Sequence, residues 1–168
     1  PEIVDSANRD VINPWEVSLA LANPNYYDDL YNLRSEWSKR SVECLLDNII
    51  ANTRAISKEH PNTEFLIIGI PDKFYWSENS HASTVKEYQS IGYRFEPNYN
   101  SKDIKNNPLS ILVSNTLQSK EIEYIYLPDL IVPGTETYNW FYYRDMHINN
   151  KGNQMVTRLL KKHMKIKQ

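Results

Sequence analysis

Cysteine and glycine are scarce: the chain of 168 residues carries one cysteine and four glycines. A single cysteine, Cys44, excludes an internal disulfide framework and any cysteine-built metal site. On its helical stretch it reads as a buried apolar residue. No apolar run is long enough to span a bilayer, and no secretory leader is visible. An excess of one charge is lacking as well. Nineteen Lys and Arg stand against 21 Asp and Glu, a net charge of -2, which argues against a general nucleic-acid or membrane-surface binder. The basic stretch 161–167 is short and reads as the solvated end of a helix. Aromatic groups are plentiful, with twelve tyrosines and four tryptophans. They suggest an aromatic-rich surface or cleft, part of it ordinary core.

The length is that of one ordinary domain. Residues 1–24 read as an irregular lead-in, broken by Asn13-Pro14 and Asn23-Pro24, and 26–37 as a poorly amphipathic helix. "SVECLLDNIIANTRAISKEH" (41–60) is the clearest helix. Val42, Leu45, Leu46, Ile49, Ile50 and Ile56 form its apolar stripe, and Pro61 ends it. "EFLIIGI" (64–70) reads as a fully buried strand closed by Pro71 and Asp72. The stretch 74–107 is polar and aromatic, with a short helix near 84–90 ahead of Gly92. "PLSILVSNTLQSK" (108–120) predicts a second amphipathic helix with proline at its start. "IEYIYL" (122–127) predicts a second strand, and a last helix is expected over 151–164.

Helix, buried strand, excursion, helix, buried strand is the rhythm of an α/β sheet protein. Two strands are too few for a stable open sheet of this kind, so further strands are expected from residues not in the chain. The chain starts at Pro1 without Met, which leaves open a processed product, an excised segment or loss of a Met before proline.

One segment carries chemistry. In "YYRDMHINNKGNQMVTRLLKKHM" (142–164), Asp145 and His147 stand two positions apart just before the last helix. A serine hydroxyl is a poor nucleophile until an imidazole accepts its proton, and a carboxylate fixes that imidazole's tautomer. In open α/β sheets the ligand crevice lies outside the carboxyl ends of the strands, where a loop after the second strand can aim both groups. The plainer alternatives are a surface histidine near a helix start and an aspartate leading into a turn. His60 reads as a C-terminal cap ahead of Pro61. His81 falls in a polar loop and His163 on the basic last helix. Neither has partners at ligand spacing, so no metal site and no cofactor is indicated. "YNWFYY" (138–143) reads mainly as packing, with Trp140 and Tyr142 as candidates to line an acyl or sugar pocket.

"RDMHINNKGNQMVTRLL" (144–160) resembles the last sequence block of the SGNH (GDSL-type) hydrolases, in which a catalytic Asp and His precede an Asn/Gly-containing turn and the C-terminal helix. "LLDNIIANTRAISKEHPNTEFLIIGIPDKFY" (45–75) is similar to that family's middle portion, and the likeness covers about 41–164. It implies a three-layer, flavodoxin-like parallel sheet flanked by helices, of which this chain would be the C-terminal part. It implies His147 as general base and Asp145 as its orienting carboxylate, acting in an ester hydrolase or an acyltransferase. The family's common spacing is Asp-x-x-His. The shorter Asp-x-His is similar to the branch acting on sugar O-acetyl groups.

The Gly-Asp-Ser block with the nucleophile has no match, nor have the blocks that complete the oxyanion hole. Asp5-Ser6 has Val4 in place of glycine and no strand ahead of it, and "GIPD" (69–72) does not match the Gly-x-Asn-Asp segment. The nucleophile is therefore expected on residues outside this chain. An N-terminal segment of the same protein, or a second copy, would complete the sheet, and an acyl ester or acetylated sugar would be the substrate. The alternative is a non-catalytic carbohydrate-binding or scaffold domain that has kept the fold and lost the serine.

Overall fold

A computed structural model describes residues 14–94, 106–142 and 147–166. Ser6 and Asp145 lie outside the described residues. The chain is mixed α/β and mostly helical: α1 (Pro14–Ala22), α2 (Tyr26–Tyr31), α3 (Glu36–Glu59), β1 (Leu66–Gly69), α4 (Glu78–Gln89), α5 (Pro108–Gln118), β2 (Glu123–Tyr126) and α6 (Asn150–Ile166). Short 3-10 turns cover Lys73–Tyr75, Leu127–Leu130 and Tyr138–Trp140. Two compact units emerge. One comprises Tyr27–Gly69 and Asn106–Tyr126, the other Pro1–Tyr26, Ile70–Lys105 and Leu127–Gln168.

The first unit holds the sheet. β1 and β2 run parallel, with Leu66 opposite Glu123 and Gly69 opposite Tyr126. Leu46 and Ile50 of α3 meet Leu117 of α5 in a buried cluster, and Ile67 and Tyr124 pack onto it from paired strand positions. Side chains alternate along a strand, so these two share the face that the helices cover. Tyr124 lays its ring across Gly69, where a Cβ would collide with it. Glycine is needed there for close approach.

Several expectations change. The apolar run of β1 reads as fully buried, yet all four strand residues are only half-buried and Ile70 is 55% exposed. Among the described residues the sheet has two strands, so β1 has one neighbour. Cys44 is exposed, not buried. It falls on the side of α3 away from Leu46 and Ile50, the residues that reach the core.

The lead-in is not wholly irregular, because Pro14 opens α1. Proline is tolerated in a first helical turn, where its absent N–H would have no intrahelical partner. α3 begins five residues before the expected Ser41, at Glu36. There the Ser35 hydroxyl accepts from the Ser38 N–H at 3.0 Å, a serine N-cap. α4 is longer than expected for the same reason, since Ser77 caps it. α5 follows the expected pattern, with Asn107 capping and Pro108 first. His60 ends α3 through its backbone N–H, bonded to Ile56 O at 2.7 Å.

Candidate active site

The second unit carries the loop that leads into α6. Trp140 to Tyr142 run beside His147 to Asn149 as a short antiparallel closure. Phe141 bridges Ile148, the Tyr142 N–H donates to His147 O at 3.2 Å, and the Asn149 N–H donates to Trp140 O at 2.8 Å. Asn149 is the hub. Its amide nitrogen donates to Asn139 O and Phe141 O at 3.0 Å each, while its Oδ1 accepts from the Gly152 N–H at 3.0 Å. This one buried side chain caps α6 and ties down the strand-like arm before the loop. The helix therefore opens at an asparagine cap, one residue before Asn150.

A Cβ at Gly152 would run into the Trp140 carbonyl oxygen and the Ile148 side chain. Gly152→Ala gains about 1 kcal/mol of helix propensity, but it must push apart the two arms of the loop. Overpacking of this kind costs about 1–3 kcal/mol. The expected net result is a lower denaturant midpoint, and an unchanged midpoint would show that the arms yield freely.

The structure places the candidate residues as follows. His147 is exposed on the loop's second arm, and Tyr142, on the first arm, is half-buried. Trp140 is 4% exposed. It packs edge-on against Trp76 at 5.8 Å between centroids, and Phe141 does the same at 5.6 Å. Its ring supports the loop as core and presents no face to a ligand. Tyr142 alone of the two candidate aromatics stands where a ligand could meet it.

His81 is not in a loop. It sits in α4, buried, with Nδ1 bonded to Phe74 O at 3.0 Å. Burial pushes its imidazole below the ordinary value of 6.5, against the smaller opposing effect of the Phe74 bond. A base depressed in the folded state takes up its proton more readily when unfolded. The stability from neutral His81 is then fully present above about pH 6.5 and is lost as pH falls from there toward the lowered folded value. Melting temperature should fall more steeply between about pH 6.5 and pH 5 in the wild type than in His81→Gln. Parallel slopes would assign the acid sensitivity to other groups.

Two further sets of residues, neither among the sequence expectations, brace the loop. Lys73 and Glu87 form a buried ion pair, Nζ to Oε2 at 2.7 Å. Lys73 Nζ also donates to Tyr142 O at 3.1 Å and lies 4.4 Å from the centroid of the Tyr138 ring. Beside it is a hydroxyl network. Thr137 Oγ1 lies 3.0 Å from Ser77 Oγ and 2.9 Å from Ser80 Oγ. Ser80 Oγ accepts from the Thr137 N–H at 2.8 Å and donates to Glu136. This network binds the start of α4 to the segment before the loop.

Charged and hydroxylic residues are read from sequence as solvated, so no apolar stripe marked α4. The available signal was the recurrence of Ser80, Thr84 and Glu87 at helical spacing, a polar face that turns out to be buried. Among the described residues no cluster of His, Cys, Asp and Glu could hold a metal ion, and no helix is long and apolar enough to cross a membrane. Comparison with family models, curated proteins and solved structures finds no match.

Proposed function

We propose that the chain supplies the Asp145–His147 half of a serine-type ester hydrolase or acyltransferase of the SGNH kind. Its fold would then be completed as a three-layer, flavodoxin-like sheet. The observation that carries this reading is the exposed His147 on a loop whose two arms are bonded to each other and capped into α6. A general base needs a ring open to substrate and a backbone that does not wander. A base enclosed in the core, as His81 is, could not reach a substrate.

In the proposed reaction His147 accepts the serine proton as Oγ attacks the acyl carbon, then returns a proton to the leaving alcohol. Asp145 holds the imidazole in the tautomer that leaves the accepting nitrogen free. Backbone N–H groups of the segment bearing the serine hold the oxyanion. That segment also pairs with the half-buried β1, which explains an all-apolar strand left half open. Tyr142 flanks the acyl or sugar group. No metal takes part.

The test uses the full-length protein with short acyl esters and O-acetylated sugars. Saturable turnover is expected, together with covalent capture of one serine by a fluorophosphonate, located by mass spectrometry. Sugar binding with neither turnover nor labelling would overturn the enzyme reading in favour of a binding domain.

A further inference from the structure

The loop is held from inside the unit by one buried ammonium. Lys73 is 1% exposed, and its Nζ meets a carboxylate, a backbone carbonyl and an aromatic face, on Glu87, Tyr142 and Tyr138. An ammonium is compact and has three donor directions, and these three partners suit it. They lie on different pieces of chain: α4, the 3-10 turn at Tyr138–Trp140, and the loop's first arm.

Tyr142 is gripped on both sides of its own Cα. Its carbonyl accepts from Lys73, while its N–H donates to the carbonyl of His147. We propose that Lys73, oriented by Glu87, is a positioning residue that fixes the Tyr142 carbonyl and, through the Tyr142–His147 backbone bond, the place of His147. The catalytic consequence rests on the esterase reading above, but the mechanical one does not. A lysine that merely filled core would not need to bond to Tyr142, whose N–H also holds the His147 carbonyl. Low local polarity strengthens both bonds, so the clamp is stiff where the loop most needs it.

The test removes the clamp without stranding a charge. The double variant Lys73→Met/Glu87→Leu replaces the pair with apolar groups of similar size, an exchange that buried pairs often tolerate. Hydrogen exchange of a peptide spanning 142–149 is compared with that of α5, and the His147 ring resonances are followed by NMR. Exchange over 142–149 should rise roughly tenfold or more with α5 unchanged, and the ring resonances should move. In the full-length enzyme kcat should fall about tenfold with KM within about twofold, the signature of a misplaced base.

If the double variant does not fold, Glu87→Gln keeps the ammonium and loosens its anchor. Its exchange should then rise over 142–149 more than over α5. Unchanged loop exchange and unmoved His147 resonances in a folded variant, or a uniform rise in Glu87→Gln, would overturn the proposal. A loosened loop in a protein without ester turnover would overturn the esterase reading and leave the clamp standing.

Discussion

Replacing His147 by alanine in the full-length protein should lower kcat/KM for a short acyl ester by about 10³-fold or more. An unassisted serine is so weak a nucleophile that little but residual binding and oxyanion stabilisation survives. Asp145→Asn should cost a comparable factor by favouring the wrong imidazole tautomer. The double variant should be little worse than either single one, since the two residues act as one unit. Stability should hardly change. The His147 ring is exposed, and the backbone carbonyl that accepts from Tyr142 is kept by alanine. Surface changes of this sort stay within about 0.5 kcal/mol. His60 is the proper control because it is exposed and caps α3 through its backbone, whereas His81 is core. Wild-type turnover in His147→Ala would reduce the segment 142–164 to a capped helix with a stray imidazole.

Lys73→Met alone should destabilise the protein by about 3–5 kcal/mol, because removing one partner strands the other charge in the interior. The Lys73 and Glu87 side chains are 1% and 2% exposed, so water cannot replace the lost partner. For a chain of this size that corresponds to a melting shift on the order of 10 °C. Arg34→Met is the comparison. Arg34 Nε lies 2.7 Å from Asp28 Oδ2, the same separation as in the buried pair, but its side chain is 46% exposed. Solvent reaches Arg34, and the Asp28 side chain, itself only 4% exposed, keeps the 2.8 Å bond from Asn32, so a smaller loss of about 1–3 kcal/mol is expected. Equal losses at the two sites, measured by urea titration, would refute the claim that burial of both partners sets the cost.

How much of this was legible beforehand depends on which force acts. α3, α5, β1 and β2 could be read because apolar side chains at helical or strand spacing must leave water, and periodicity records that demand directly. The caps at Ser35, Ser77 and Asn149 were present as residue types but were passed over. A serine or asparagine becomes a cap only when the chain around it turns, and the same residue in another turn is merely polar. His147 and Asp145 were legible as a motif, two chemical groups at short spacing before a helix.

By itself, then, the sequence determined the helices and the two strands with apolar periodicity, the lack of a disulfide framework, and the candidate pair in the segment before α6. The tertiary structure decided which charges and hydroxyls are buried, that Trp140 is core while His147 is exposed, and that Lys73 reaches Tyr142 across 69 residues of chain. Local patterns carry the hydrophobic demand of each segment. Whether a polar group is solvated or enclosed depends on what distant segments bring against it, and no local pattern records that.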